Sequence, residues 1–249
     1  MRRLYDRDQL RHFLVWLALY LGMSLVALNL ESALDLPPHT VVAIPLAVLA
    51  VVISVYLVRT GVGCQIGLGV RPAVSLPRLW FYLPLVVLVA LPLIGGVRTD
   101  LSAILIGVMV VHYASSGYLE EVLFRGMLLT HLLREWRAVW AVLFSAVTFG
   151  VGHSVSLLAG QSGADTIGQV VNATIVGLLF TLVVVATGSL TAVIVAHVFY
   201  NIIAELARVP EGFGLILTGV AVLVVYGPWL LYGGGGLARL RRRAVPPER

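Results

Sequence analysis

Long apolar runs recur along the whole chain, and short polar, glycine- or proline-containing stretches separate them. A helix rises about 1.5 Å per residue, so about 20 apolar residues cross the roughly 30 Å of hydrocarbon in a bilayer. The pattern therefore predicts an all-α polytopic membrane protein, a bundle of about eight transmembrane helices that forms a single domain over residues 1–249. The predicted spans are 12–30, 40–58, 79–97, 101–133, 139–159, 169–187, 190–207 and 213–232.

The fourth span, 101–133, is too long for one perpendicular crossing of the membrane. At about 1.5 Å per residue it would reach about 50 Å. We expect this helix to tilt, to break, or to project from the membrane at its end.

Composition and charge support the membrane assignment and argue against a nucleic-acid partner. Hydrophobic residues make up 59% of the chain and charged residues 12%, whereas soluble domains carry roughly twice that share of charge. All 17 basic residues are arginines, and they gather in tails and connections. All except Arg98, Arg125 and Arg208 fall on one predicted side, which is expected to be cytoplasmic. Both termini are then cytoplasmic, and the expected location is a prokaryotic plasma membrane.

Polar and ionisable side chains within the spans form three local patterns. Such groups cost roughly 2.5–3.5 kcal/mol each at the centre of a bilayer, so a functional interpretation comes first. Glu121 and Arg125 are four residues apart on a helix and can pair, which leaves Glu120 to face another group. The patterns are E-E-x-x-x-R at Glu120, Glu121 and Arg125, F-x-x-x-H at Phe149 and His153, and H-x-x-x-N at His197 and Asn201.

The three patterns lie at overlapping depths on three helices. Counted from the predicted cytosolic helix ends, Glu120 and His153 lie about 20 Å deep and Asn201 about 17 Å. Such side chains can share one cavity, in which a carboxylate in dry surroundings can act as a general base. The same residues also fit buried hydrogen bonds between helices in a non-catalytic scaffold, or a proton- or metal-coupled transporter.

Together and in this order, the patterns resemble the CPBP family of intramembrane proteases, which includes the type II CAAX prenyl endopeptidases and bacterial Abi-type proteins. The matching segments are EEVLFRG (120–126), FGVGH (149–153) and HVFYN (197–201), within a catalytic core of about residues 115–205. The resemblance implies an endopeptidase with a cavity that opens toward the cytosolic leaflet. Its substrate would be a membrane-associated peptide of the prenylated or leader type.

The resemblance also implies a role for each motif residue. Glu120 would be the general base that activates water, and His153 would help to hold that water. His197 and Asn201 would stabilise the oxyanion. Glu121 and Arg125 would position Glu120, with Phe149 in support.

Cofactor and partners follow from the same residues. Catalysis without a cofactor is favoured, and the alternative is a divalent metal such as zinc, held by Glu120, His153 and His197. The expected partners are membrane lipid and a peptide or protein substrate, which the resemblance allows to be lipidated. The sequence assigns no oligomeric state.

Overall fold

The computed structural model describes residues 1–70, 81–208 and 213–232. Throughout these ranges the secondary structure is helical, apart from an isolated antiparallel bridge between Val97 and Ala207. The helices are α1 (Arg2–Arg7), α2 (Gln9–Ala33), α3 (Ala43–Thr60), α4 (Val62–Gln65), α5 (Leu83–Ala90), α6 (Ala103–Glu120), α7 (Leu129–Glu135), α8 (Ala138–Gly152), α9 (Val155–Leu158), α10 (Gly163–Thr187), α11 (Thr191–Leu206) and α12 (Phe213–Tyr232). A 3₁₀ turn (Leu91–Gly95) extends α5, and a π-helix (Glu121–Leu128) joins α6 to α7.

Each predicted membrane span overlaps a helical segment, and residues 79 and 80 of the third predicted span lie outside the described residues. Among the described residues, five helical segments are long and apolar enough to cross a membrane: Gln9–Ala33, Ala43–Thr60, Ala103–Glu135, Ala138–Leu158 and Gly163–Thr187. Three shorter apolar segments are Leu83–Gly95, Thr191–Leu206 and Gly219–Tyr232. The all-helical class is thus confirmed, while the number of about eight crossings stays a prediction.

The overlong fourth span forms one continuous helical segment, Ala103–Glu135. It begins where the Ser102 side chain accepts a hydrogen bond from the backbone N–H of Leu105, and it ends before Trp136, whose backbone is extended. In its middle the helix widens into the π-helix, a form that is rare and occurs mostly as short insertions at functional sites. The two glutamates of the first motif lie where this change begins.

The bundle is organised around α10, which is the most buried of the five long segments. It packs most extensively against α8 and α12. A Cβ at Gly150 of α8 would lie 2.0 Å from Thr174 Oγ1 of α10, so only glycine permits this close approach of the two helices. Away from these contacts, the outer surface is strongly apolar, as lipid contact requires: Val26, Ile44, Val58, Ile104 and Val225 are all more than two-thirds exposed.

The bundle has two distinct ends. At one end, the Arg2 side chain donates to the Thr60 carbonyl, and the Leu190 N–H donates to the Gly67 carbonyl. At the other end, the Arg98 N–H donates to the Leu206 carbonyl. The first end carries these described arginines: Arg2, Arg3, Arg7, Arg11, Arg59, Arg134 and Arg137. The second carries Arg98 and Arg208, while Arg71, Arg78 and the arginines after residue 232 lie outside the described residues.

Candidate functional site

A buried network links the first and third motifs. The Arg125 Nη1 donates to Glu121 Oε1 at 2.8 Å, which forms the predicted i, i+4 ion pair. The same carboxylate oxygen lies 2.7 Å from Nδ1 of His197, which reaches it from α11. Because an ionised carboxylate only accepts, Nδ1 carries the proton and Nε2 is left to face the other way. The ion pair therefore fixes the tautomer and orientation of His197.

Aromatic rings enclose the cationic side of this network. Neither Glu121 nor Arg125 has exposed side-chain surface. The Arg125 guanidinium carbon lies 3.9 Å from the centre of the Phe149 ring, and a buried guanidinium over an aromatic face is stabilised by the ring quadrupole. Gly177 of α10 leaves room for the Arg125 Nη2, because a Cβ there would lie only 2.9 Å away. Phe149, which was predicted to support the motif, thus contacts Arg125.

Glu120 lies on the other side of the His197 ring from Glu121, near Nε2 rather than Nδ1. Its Oε2 lies 3.5 Å from Nε2 of His197, and its side chain is 12% exposed. Its Oε1 accepts a hydrogen bond from the Tyr20 hydroxyl of α2. The polar contacts of Glu121 and Arg125 go to each other and to His197, and their predicted role in positioning Glu120 stays a prediction.

Tyr20 is the residue of this site that the sequence did not reveal. It is 100 residues from Glu120 in the chain. It lies in an apolar span, where a tyrosine is usually interpreted as a residue that packs between helices. The Ser24 hydroxyl bonds to the Tyr20 carbonyl one turn later on α2. A Tyr-x-x-x-Ser pair inside the first span was therefore the available signal that this face of α2 meets polar groups.

The second motif lies at the end of α8. His153 is the residue after the last helical turn, and its Nδ1 lies 3.1 Å from the Phe149 carbonyl oxygen. Since a carbonyl only accepts, Nδ1 carries the proton and Nε2 is free to accept one. The F-x-x-x-H spacing thus places the imidazole one turn after the phenylalanine, with its ring edge against the Phe149 ring at 4.9 Å between centroids.

A cavity of about 550 Å³ brings the motif residues together. Glu120, Phe149, His153 and Asn201 line it directly, and His197 lies behind Glu120 with 4% of its surface exposed. Further polar groups of the wall come from α2, α6, α10 and α11 and from the segment between α8 and α10: Tyr20, Ser24, His112, Tyr113, Ser116, Ser156, Gln161, Asp165, Gln169, Asn172 and Glu205. The arrangement combines a carboxylate, two imidazoles and an amide around a space large enough for an extended peptide segment.

The cavity occupies the half of the bundle away from the arginine-rich end. Its lining includes Leu28 near the end of α2, Asp165 near the start of α10 and Glu205 near the end of α11. A cytosolic arginine-rich end and a cytosolic cavity mouth were both expected from the sequence. Apart from Arg98, Arg125 and Arg208, the described arginines lie at the end opposite the cavity, so the two expectations do not hold together.

Whether the protein uses a metal stays a prediction, and the described residues show only how the proposed ligands are arranged. Among residues 1–70, 81–208 and 213–232, no three His, Cys, Asp or Glu side chains converge as ligands for a metal ion. One nitrogen of each proposed histidine ligand is committed, that of His197 to Glu121 and that of His153 to a carbonyl.

Comparison with known proteins bears on what this arrangement does. Residues 101–203 match the family model described as type II CAAX prenyl endopeptidase, Rce1-like. This part of the chain is similar to the Rce1-like domain over residues 101–203. The Rce1-like domain includes every motif residue from Glu120 to Asn201, and it overlaps the core of about 115–205 that the motifs predicted. No curated protein and no solved structure matches the chain.

The Rce1-like domain, together with the apolar helices, indicates an integral multi-pass membrane protein with a peptide-hydrolase domain. Its substrate class is accordingly a peptide or protein. Tyr20, which contacts Glu120, lies outside the matched residues, so part of the site comes from the N-terminal helix α2.

Proposed function

We propose that the protein is an intramembrane endopeptidase in which Glu120 activates a water molecule for attack on a peptide bond. The single observation that supports this most is the position of Glu120, which lines the cavity while its Oε2 lies 3.5 Å from Nε2 of His197. A carboxylate that is nearly buried and close to an imidazole can exchange a proton with it and with a bound water. The Rce1-like match favours this chemistry over a transporter or a non-catalytic scaffold.

The proposed reaction has two proton transfers. Glu120 takes a proton from water as its oxygen attacks the carbonyl carbon of the substrate, and His153 Nε2 accepts the hydrogen bond that orients this water. The resulting oxyanion is stabilised by the Asn201 amide and by His197, which serves in this step as the doubly protonated imidazolium: its Nδ1 proton is held by Glu121, and its second proton, on Nε2, points to the oxyanion and stays on His197 throughout. Glu120 then returns the proton to the leaving amine nitrogen, and the C–N bond breaks.

Glu121 and Arg125 do not contact the reacting atoms and act through His197. Through Glu121 Oε1 they hold the Nδ1 proton of His197, so that Nε2 remains directed at Glu120. We propose that Glu121 and Arg125 position Glu120 in this way, through His197.

The cavity wall also offers acceptors for a peptide backbone. The side-chain oxygens of Gln169 and Asn172 are buried, lie one turn apart on α10 and have no hydrogen-bond partner among the described residues. An unpaired buried acceptor costs about 1–3 kcal/mol, which a substrate N–H would recover. We propose that these oxygens bind the backbone of a membrane-associated peptide of the prenylated or leader type.

For the membrane arrangement, we propose that the three shorter apolar segments also cross, which gives eight crossings. The arginine-rich end is then cytoplasmic in a prokaryotic plasma membrane, with both termini on that side.

The experiment compares Glu120→Gln with Glu135→Gln in reconstituted vesicles. Candidate substrates are the membrane peptides that accumulate when the gene is deleted. Glu135 is exposed at the arginine-rich end of the same helical segment, so its substitution leaves the cavity intact. We expect Glu120→Gln to lose cleavage by at least about 100-fold with an unchanged unfolding temperature, as loss of a general base requires.

A chelator arm tests the metal alternative in the same assay. Exhaustive chelation should leave the cleavage rate unchanged. Cleavage by a folded Glu120→Gln variant at the rate of Glu135→Gln would refute the general-base role. Loss of cleavage on chelation, restored by zinc, would refute catalysis without a metal.

A further inference from the structure

The cavity and the arginines define opposite faces of the protein, and this determines how a substrate reaches Glu120. Each long helix that contributes to the cavity does so with the half that lies away from the arginine-rich end. On α2 the lining runs from Tyr20 to Leu28, and on α10 it runs from Ala164 to Asn172. On α11 it is formed by Asn201, Ala204 and Glu205, close to the end at Leu206.

The connecting segment that lines the cavity also places its opening at the arginine-poor end. Ser156 and Gln161 belong to the segment between α8 and α10, which lies at the arginine-poor end. Asn29, near the end of α2, contacts the Leu158 carbonyl of this segment at 3.4 Å. The lining thus continues from Glu120 in the bundle interior to the connections that face the solvent on this side.

From the arginine-rich end, a separate cavity of about 920 Å³ enters the bundle and stops at Arg125. Its wall includes Cys64, Arg134 and Arg137. Between this cavity and Glu120 lie the fully buried pair Glu121–Arg125 and the ring of Phe149, which is 2% exposed. The arginine-side cavity therefore ends behind the network and does not lead to the proposed base.

We infer that the site receives its substrate from the extracytoplasmic face. Arginine-rich ends of short-looped membrane proteins face the cytoplasm, so the end at which the cavity opens faces outward. The inference rests on the proposed function for the identity of the ligand as a peptide. It assigns the substrate class as a peptide whose scissile bond reaches the outer leaflet or the extracytoplasmic surface, so a peptide of the prenylated or leader type proposed above is a substrate only when its scissile bond is exposed on that side. A peptide whose scissile bond stays on the cytoplasmic side would not reach Glu120.

The test uses the accessibility of cysteine thiols and does not require catalysis. Cys64 is the chain's only cysteine, is exposed and reports on the arginine-rich end. Gly168 lines the cavity five residues into α10, and no atom lies within 4 Å of a Cβ built there. Gly107 lies four residues into α6, is exposed on the outer surface and has equally free space. Gly168→Cys is the cavity probe, and Gly107→Cys is its control at similar depth in contact with lipid.

Intact cells that express each full-length variant are treated with a charged, membrane-impermeant maleimide, before and after permeabilisation. We expect Gly168→Cys to be labelled in intact cells at least about tenfold faster than Gly107→Cys, because only thiols in water ionise and react readily. Cys64 should react only after permeabilisation.

Two results would overturn the inference. One is labelling of Gly168→Cys that, like that of Cys64, appears only after permeabilisation, which would place the mouth in the cytoplasm. The other is labelling of Gly168→Cys no faster than Gly107→Cys under both conditions, which would mean that water does not enter the cavity from this end. Neither result depends on cleavage, so failure here is distinct from failure of the Glu120→Gln experiment.

Discussion

A methyl group at Gly177 would test whether the buried network controls the site. A Cβ at this position of α10 would lie 2.8 Å from Phe149 Cδ1 and 2.9 Å from Arg125 Nη2. Non-bonded atoms in favourable contact are about 3.5–4.0 Å apart, so both side chains must move by about half an ångström or more. Arg125 has no exposed surface and Phe149 is 2% exposed, so neither side chain can turn outward to avoid the methyl group.

The effects of Gly177→Ala on stability and on activity should differ in size. Overpacking costs about 1–3 kcal/mol, and the better helix propensity of alanine returns about 1 kcal/mol, which leaves a net loss of about 1 kcal/mol. Displacement of Arg125 moves Glu121 and then His197. A misplacement of about 1 Å can cost about 100-fold in rate, so a shift of half an ångström should cost about tenfold.

The assay measures the thermal unfolding midpoint in detergent and the cleavage rate in vesicles. Gly107→Ala is the control, because this glycine is exposed and a Cβ there meets no atom within 4 Å. The control gains helix propensity without displacing a neighbour, so its rate should be that of the native protein. If Gly177→Ala and Gly107→Ala have the same rate, the Arg125–Glu121–His197 chain does not position the site.

Two further predictions concern Tyr20 and the loop residue His39. Tyr20→Phe should lower the cleavage rate by about tenfold, because a hydrogen bond to a charged group contributes about 1.5–3 kcal/mol. The control is Tyr118→Phe, which loses only a contact with Ser54 and should keep the native rate. If the two variants cleave at the same rate, Tyr20 does not position Glu120. Burial lowers the pKa of His39 from 6.5 despite the nearby carboxylates of Glu205 and Glu31, so the unfolded chain takes up this proton first. Stability should therefore be fully present above about pH 6.5 and decline below it. His39→Gln should flatten the fall of the unfolding midpoint between about pH 7 and pH 5, and an unchanged slope would contradict this assignment.

Local spacing predicted the parts of the site that lie on one helix. The four-residue separation of Glu121 and Arg125 predicted their ion pair, because side chains one turn apart share a helix face. The F-x-x-x-H spacing likewise placed His153 against Phe149. Apolar run lengths located the long helical segments, most of their ends to within a few residues, since a bilayer sets the apolar length that a crossing needs. They did not predict the short helices α1 and α4, and α10 begins at Gly163, ahead of its predicted span.

Features that depend on packing between distant helices were not predicted. Tyr20 comes to Glu120 from another helix, and no local pattern encodes that contact. His197 was paired with Asn201 by spacing, yet its Nδ1 contacts Glu121 on a different helix. The direction of the cavity was also beyond the reach of depth counting, because a depth near the middle of a membrane is the same from either face. The π-helix at Glu121–Leu128 has no signature in the run of apolar residues.

The Glu121–Arg125 pair lies between the two cavities, which enter the bundle from opposite ends. In the membrane arrangement proposed above, this pair and the Phe149 ring separate the two cavities, so they would also block ions and protons where water fills both cavities. We therefore expect a change that shortens Arg125 or removes the Phe149 ring to make the membrane leaky as well as to disturb the proposed site.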